Sequence, residues 1–334
     1  MVQLAEQVRG ERGARMVLSM IADPNDAPTG RVLARVGGVE TLRLIDDAQA
    51  SVPGMNRADG IAWRNRMATR IPDDLTDRLA QAKASGIAAL IPADEHWPQS
   101  LNDLGPRAPF VLWARGATSM LTGDVKERVT ITGARAATSY GMTVTGEIAD
   151  DLARREHIIV AGGAYGVEGE AHWAALAAGG STVAVMAGGV DRLYPSGHAE
   201  MLGRIGDLGT LVSEAPPGAE PTRHRFIART RLMAALSGTT VVTEAGIRSM
   251  AMLVPVEARN LDRGAGAVPG PVTSAASTGA NELLKRGIAD VVTDPKDVRE
   301  LMGHVEESTP ARSGLLDRTI TPSTPSLQEQ ARSL

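Results

Sequence analysis

The residues of this chain best suited to chemistry are glycines, arginines and carboxylates that follow short β-branched runs. Gly133-Ala134-Arg135 comes directly after Val129–Thr132, with Thr138, Tyr140 and Gly141 behind it. A second set, Gly162-Gly163-Ala164-Tyr165-Gly166-Val167-Glu168, follows His157–Ala161 and reaches Ala171-His172. A third begins at Ser213-Glu214 and runs through Pro217-Gly218 to Arg223, Arg225, Phe226, Arg229 and Arg231. A fourth is Thr243-Glu244-Ala245-Gly246-Ile247-Arg248-Ser249. Glycine lets backbone amides approach a ligand closely, and a helix that opens after such a turn favours an anion. Arginine forks match phosphate oxygens and stack on bases. These sets read as phosphate-binding loops beside a local basic patch. The plainer alternatives are parallel-sheet turns with a surface arginine at Arg135, and a solvated helix face for the arginine run. Glu168, Glu214 and Glu244 read either as acids near a pocket or as helix caps and arginine partners.

The elements that must position these loops follow from periodicity. Strands are predicted at Val129–Thr132, Ile158–Ala161, Thr182–Met186, Thr210–Ser213, Thr239–Thr243, Ala267–Val268 and Asp290–Val292. Helices are predicted at Ser139–Arg155, Val167–Ala178, Ala199–Gly206, Thr230–Leu236, Ser249–Asn260 and Gly279–Lys285. The alternation implies an α/β fold, a Rossmann-like doubly wound and mostly parallel sheet, with ligands bound beyond the carboxyl ends of its strands. Upstream, Asp73–Ala84 reads as a helix, and Ile87–Ile91 and Pro109–Trp113 read as strands. His96, between them and beside Trp97-Pro98, reads as a packing corner.

Residues 1–72 read as a small helical domain, with Leu4–Ala22 and Arg31–Ala48 apolar at spacings of three and four. Within it, Arg31–Val36, Gly37-Gly38 and Val39–Asp47 suit a helix–hairpin–helix-like turn, which holds a DNA phosphate in some proteins and is a docking or dimer module in others. Residues 73–304 form the sheet domain. Residues 305–334 are rich in Ser, Thr and Pro and are expected to be a disordered tail without a winged-helix domain.

Composition narrows the function classes. The chain has 334 residues, no cysteine and a net charge of −4, so nucleic-acid binding must come from a local patch and thiolate chemistry is excluded. Aromatic residues are only 3%, which limits base-stacking platforms. No apolar run reaches membrane-spanning length and no leader core opens the chain, so a cytoplasmic location is expected. Nucleophile-elbow, zinc-protease, P-loop and G-x-G-x-x-G patterns are absent. No metal or organic cofactor is implied.

The loops, in this order, resemble those of the DNA-processing protein A family, DprA or Smf. Gly133 through Gly141 answers the family's G-S-R-x-x-T-x-Y-G, and Ala161 through His172 answers S-G-L-A-x-G-I-D-x-x-A-H. Gly189-Val190-Asp191-Arg192-Leu193-Tyr194-Pro195 answers G-x-D-x-x-Y-P, and Phe226 through Arg231 answers F-P-x-R-N-R. Val268-Pro269-Gly270 and Gly279 through Leu284 answer its closing segments, and Trp97-Pro98 its Y-P before the sheet. The match covers roughly residues 85–302. It departs at Ala161, Gly163, Glu168 and Thr230. The resemblance implies a single-stranded-DNA-binding protein that protects DNA during natural transformation, loads a RecA-type recombinase and forms a homodimer through the sheet domain. It places phosphates at Gly133 and Arg135, and the strand along Arg229 and Arg231. The competing readings are a nucleotide-processing enzyme, resembling the lysine-decarboxylase-like phosphoribohydrolases, and a non-catalytic nucleotide sensor.

Overall fold

The computed structural model describes residues 4–304. The tail expected over residues 305–334 lies outside them. Four helices open the fold: α1 (Gly10–Ile21), α2 (Ala27–Asp46), α3 (Arg57–Ala68) and α4 (Leu75–Ala84). Seven more lie within the sheet region: α5 (Ser139–Arg154), α6 (Val167–Ala177), α7 (Ala199–Leu208), α8 (Arg223–Leu236), α9 (Leu253–Asn260), α10 (Thr278–Lys285) and α11 (Pro295–His304). No helix among the described residues is long and apolar enough to cross a membrane.

The nine strands are β1 (Ala88–Leu90), β2 (Leu112–Gly116), β3 (Arg128–Thr132), β4 (Ile158–Ala161), β5 (Thr182–Val185), β6 (Thr210–Ser213), β7 (Thr239–Val242), β8 (Gly264–Ala267) and β9 (Asp290–Val291). They form one sheet in the order β1-β2-β6-β5-β4-β3-β7-β8-β9. From β6 to β9 neighbouring strands are parallel, while β1 and β2 add an antiparallel edge. The register sets Thr130 beside Val160 on one side and Thr240 on the other. Strands β3, β4, β5 and β6 run outward one way from β3, and β7, β8 and β9 run outward the other way. The switch point of the sheet is therefore at β3 and β7, and a crevice must open beyond their carboxyl ends.

Most predicted elements are present within a residue or two. Among the boundaries that move, three bear on the site or the sheet. Strand β2 begins three residues later than predicted, because Phe110 and Val111 are buried by the neighbouring core rather than by pairing. Strand β8, Gly264-Ala265-Gly266-Ala267, starts before the predicted Ala267 and carries no β-branched signal. Its glycines instead admit close neighbours: a Cβ on Gly266 would sit 2.6 Å from Val292 Cγ2. Helix α8 begins at Arg223 instead of Thr230, with the Thr222 hydroxyl accepting the Arg225 amide at 3.3 Å. The basic stretch is thus helical.

The amino-terminal helices share one hydrophobic cluster with the sheet, in which Leu18, Leu42 and Trp63 pack with Trp113, Met186 and Leu211. Leu75 and Leu79 of α4 join the same cluster. Arg12 adds an ion pair to Asp94 at 2.5 Å, and Arg15 donates to the Phe110 carbonyl at 3.0 Å. A side chain on Gly30 would collide with the Pro106 carbonyl, so α2 rests directly on the backbone before β2.

The predicted Gly37-Gly38 turn exists as a break inside α2, with Gly37 at φ +77°. Its amide is already engaged. Gly38 N–H donates to Glu11 Oε2 at 2.7 Å, and Arg15 holds the other Glu11 oxygen at 2.5 Å. A carboxylate of α1 occupies the place a DNA phosphate would take, so the turn is a packing joint between α1 and α2.

Candidate functional site

The crevice at the switch point contains a cavity of about 510 Å³. Its walls come from the loops after β3 and β4, from α8, and from the segment after β7. Gly133, Arg135, Glu168, Phe226, Arg229 and Arg248 all line it. A smaller recess of about 50 Å³ adjoins it, rimmed by Gly163, Tyr165 and Tyr194 and sharing Arg135, Phe226 and Arg229.

The first loop is held by backbone fit. A Cβ on Gly133 would lie 2.5 Å from the Glu244 carbonyl and 2.7 Å from Val167 Cγ2. Ala134 N–H donates to that carbonyl at 2.6 Å, and Val167 N–H donates to the Ala134 carbonyl at 3.1 Å. Gly166, at φ +74°, abuts the Ala134 and Arg135 carbonyls. Three loops from distant parts of the chain are therefore interlocked, and Arg135 stands exposed at their tip. The amides of Arg135, Ala136 and Ala137 donate to no acceptor among the described residues. Tyr140 is mostly a tie: its hydroxyl donates to the Pro269 carbonyl at 2.8 Å.

Two carboxylates lie at the openings of α5 and α6. Glu244, 2% exposed, accepts the Thr138 amide and hydroxyl, both at 2.7 Å. Glu168, 5% exposed, accepts the Thr132 hydroxyl at 2.9 Å, the Ala164 amide at 3.2 Å and Arg229 Nη2 at 3.1 Å. Burial would push the Glu168 carboxyl up. The Arg229 guanidinium, with the Thr132 and Ala164 donors, outweighs burial and holds it below the usual carboxylate range.

The arginines divide sharply. Arg229 is 7% exposed, pairs with Glu168, and donates from Nη1 to the Val185 carbonyl at 3.2 Å. Its Nε has no partner among the described residues. Arg231 is 1% exposed and forks onto Glu214 at 2.5 and 2.7 Å, with further donation to the Arg107 and Ala228 carbonyls. It lines no part of the cavity, which corrects its expected place along a DNA strand: it is a buried strut between α8 and the loop after β6. Arg225 is half-buried, donates to the Glu220 carbonyl at 2.6 Å and faces a crevice with Asp23 and Glu214, also away from the cavity. Burial pushes its guanidinium down. Arg223 is exposed and borders a second groove, which shares Arg248 with the cavity. Arg135 and Arg248 are exposed and form no ion pair among the described residues. Phe226 carries the Arg135 guanidinium 4.9 Å from its ring centre and that of Arg229 at 5.4 Å.

Gly162 lies beneath the cavity, where a side chain would strike the Arg229 guanidinium. Its carbonyl accepts His172 Nε2–H at 3.0 Å, while Nδ1 faces the Thr182 hydroxyl at 2.7 Å. Complete burial lowers the His172 pKa to about 4, so the ring is neutral at ordinary pH. His96 lies where a packing corner was expected, with Nδ1 2.7 Å from the Thr118 hydroxyl and Trp97 buried beside it.

The loops after β3, β4 and β7, all named from sequence, are brought together. Reading the sequence missed the lining residues Val254, Ala275 and Ala276, and left open which arginines Glu168 and Glu214 hold. The ion pairs had one available signal: Glu168 and Glu214 follow strands whose ends must meet α8.

Fold and site together define a Rossmann-like protein with an arginine-lined cavity at the switch point of its sheet. The chain belongs to the DNA recombination-mediator protein A family, whose sequence model matches residues 88–303. It is 40% identical over 301 residues to the putative DNA processing protein DprA of Mycobacterium tuberculosis, covering 87% of this chain and 75% of that one. The solved structure of DNA processing protein A from Streptococcus pneumoniae superimposes with a TM-score of 0.69 at 25% identity, covering 87% of this chain and 98% of that one. That of DNA processing protein A from Helicobacter pylori, described for its single-stranded DNA binding mode, gives 0.57 at 26% identity, covering 64% and 94%.

Proposed function

We propose that this chain binds single-stranded DNA at the switch-point cavity and, as a homodimer in the cytoplasm, delivers it to a RecA-type recombinase. The observation that carries the reading is the pair of exposed, unpaired guanidiniums, Arg135 and Arg248, across one cavity beside amides without acceptors. Cations and free amides facing a groove bind phosphates whatever the base sequence. Phe226 and the exposed Tyr165 and Tyr194 supply ring faces for bases at the same edge. The Helicobacter pylori relative supports the choice of ligand, and family membership supports a role in recombination.

The test is fluorescence anisotropy of labelled oligothymidine titrated with protein at 50 and 200 mM salt. Binding that weakens steeply with salt supports the reading, as does faster recombinase filament assembly on strands coated with this protein. No binding at the lower salt overturns it.

A further inference from the structure

Phe226 and Arg229 stand three residues apart on α8, which puts both side chains on one helix face, and both line the cavity and the recess. The Arg229 guanidinium lies 5.4 Å from the Phe226 ring centre. The Tyr194 ring meets Phe226 edge to face, with centres 6.1 Å apart. Phe226 itself is half-buried. The angle at which its ring faces the cavity is therefore set by these neighbours.

The Arg229 guanidinium hangs on few contacts. Nη1 donates to the Val185 carbonyl at 3.2 Å, and Nη2 donates to the two Glu168 oxygens at 3.1 and 3.2 Å. With Nε unpartnered, Glu168 supplies the only charged contact that fixes this group among the described residues. Glu168 is anchored in turn. Its Oε1 accepts the Thr132 hydroxyl at the end of β3, and its Oε2 accepts the Ala164 amide after β4. Gly162 leaves the room for the pair, since a side chain there would strike both the guanidinium and Glu168 Oε2. A chain of contacts thus runs from β3 through Glu168 and Arg229 to the aromatic wall. Arg231, two residues further on, forms a like pair with Glu214, but that pair lines no part of the cavity. The Glu168–Arg229 pair also cancels its own charge, so Arg229 gives the wall shape and little cationic field.

We propose that Glu168 is a positioning residue for Phe226: by holding Arg229 against the sheet it sets the ring on which a base rests, and it takes Arg229 out of the set of phosphate contacts. The inference rests on the reading of the cavity as a site for single-stranded DNA and names the residue that prepares its stacking surface. The gain is preorganisation. A ring already held by fixed neighbours gives up little rotamer freedom when a base arrives. The division of labour follows: Arg135 and Arg248 meet the backbone, while the buried arginine serves the base.

The experiment compares labelled oligothymidine with an abasic strand of the same length and charge, each titrated between about 50 and 200 mM salt. The proteins are the wild type, Phe226→Leu, Glu168→Gln and Glu168→Asp. The wild type is expected to bind the thymidine strand about tenfold more tightly than the abasic one. Phe226→Leu lowers that ratio to about threefold or less and leaves the salt slope unchanged. Glu168→Gln lowers the ratio likewise and steepens the slope of log K against log salt by about 1, because Arg229 keeps its charge and loses its counter-charge. Glu168→Asp keeps the charge on a shorter arm, so it lowers the ratio at the wild-type slope. A merely structural Glu168 would weaken both strands equally and leave ratio and slope at their wild-type values, which overturns the proposal. Where Glu168→Gln fails to fold, Glu168→Asp decides, and an unchanged ratio in it overturns the proposal. Tight wild-type binding without preference for bases removes this proposal and leaves the DNA reading intact; no binding of either strand removes both.

Discussion

Arg229 and Arg231 lie two residues apart on α8, and Arg135 and Arg248 lie more than a hundred residues apart. The distant pair is exposed at the cavity and the adjacent pair is buried in the frame. Arg231 is fully enclosed on Glu214, and Arg229 is nearly enclosed on Glu168. Arg135 and Arg248 stand on loop tips after β3 and β7, the two strands at the switch point. The lesson is that a dense run of cations is not by itself a binding surface. In this acidic chain two of the four arginines in the run, Arg229 and Arg231, are buried against carboxylates, and burial in a pair leaves a guanidinium little capacity for a ligand.

That division is easiest to break at Arg231. Arg231→Ala strands the Glu214 carboxylate, 17 residues away in sequence, in a largely enclosed position. The expected cost is about 3–5 kcal/mol of folding stability, read from urea denaturation. If Arg231 were instead a surface contact to DNA, the variant would unfold at the wild-type midpoint and lose affinity alone.

The frame beneath the second glycine loop sharpens the comparison through pH. His172 has its pKa lowered from 6.5 to about 4 by burial. The unfolded chain therefore binds a proton that the folded one refuses between those values. Its contribution is fully present above pH 6.5 and is lost as pH falls toward 4, by on the order of 3 kcal/mol. Chemical denaturation between pH 7.5 and 4.5 should show this decline, and His172→Gln should flatten it. A wild-type profile equal to that of the variant would place the titration elsewhere.

The exposed arginines should behave in the opposite way. Arg135→Ala and Arg248→Ala are each expected to leave the unfolding midpoint within about 0.5 kcal/mol and to weaken oligothymidine binding by about 1–2 kcal/mol. Parallel melting and anisotropy separate the two effects. A smaller effect belongs to the tie between loops. Tyr140→Phe removes one partly exposed hydrogen bond to Pro269, worth about 0.5–1 kcal/mol in stability, and a melting curve shifted by more would mean that the tie holds a larger element in place.

Much of this was readable in the residues. The β-branched runs at Val129–Thr132 and Thr239–Val242, the glycines that follow β3 and β4, and the helical periods between strands reflect local sterics and burial on both sheet faces, and local sequence carries both. The chain order of the loops resembled a family, and the family model matches the same span. The fate of the arginines was not readable. Every residue from Ala228 to Leu236 is buried, so α8 has no polar face by which to tell an outward arginine from an inward one. What decides is the partner: Glu168 is 61 residues from Arg229, and only the sheet order brings it near. The Gly37-Gly38 turn shows the same limit. Its geometry suited a phosphate, yet Glu11, 27 residues upstream, already fills it.

The most direct measurement is the salt dependence of oligothymidine affinity for the wild type, Arg135→Ala, Arg248→Ala and the double variant. If the exposed pair makes the phosphate contacts, the slope of log K against log salt falls by about 1 for each arginine removed and by about 2 for both. If all four proteins share one slope, the cavity at the switch point is not where the strand is held.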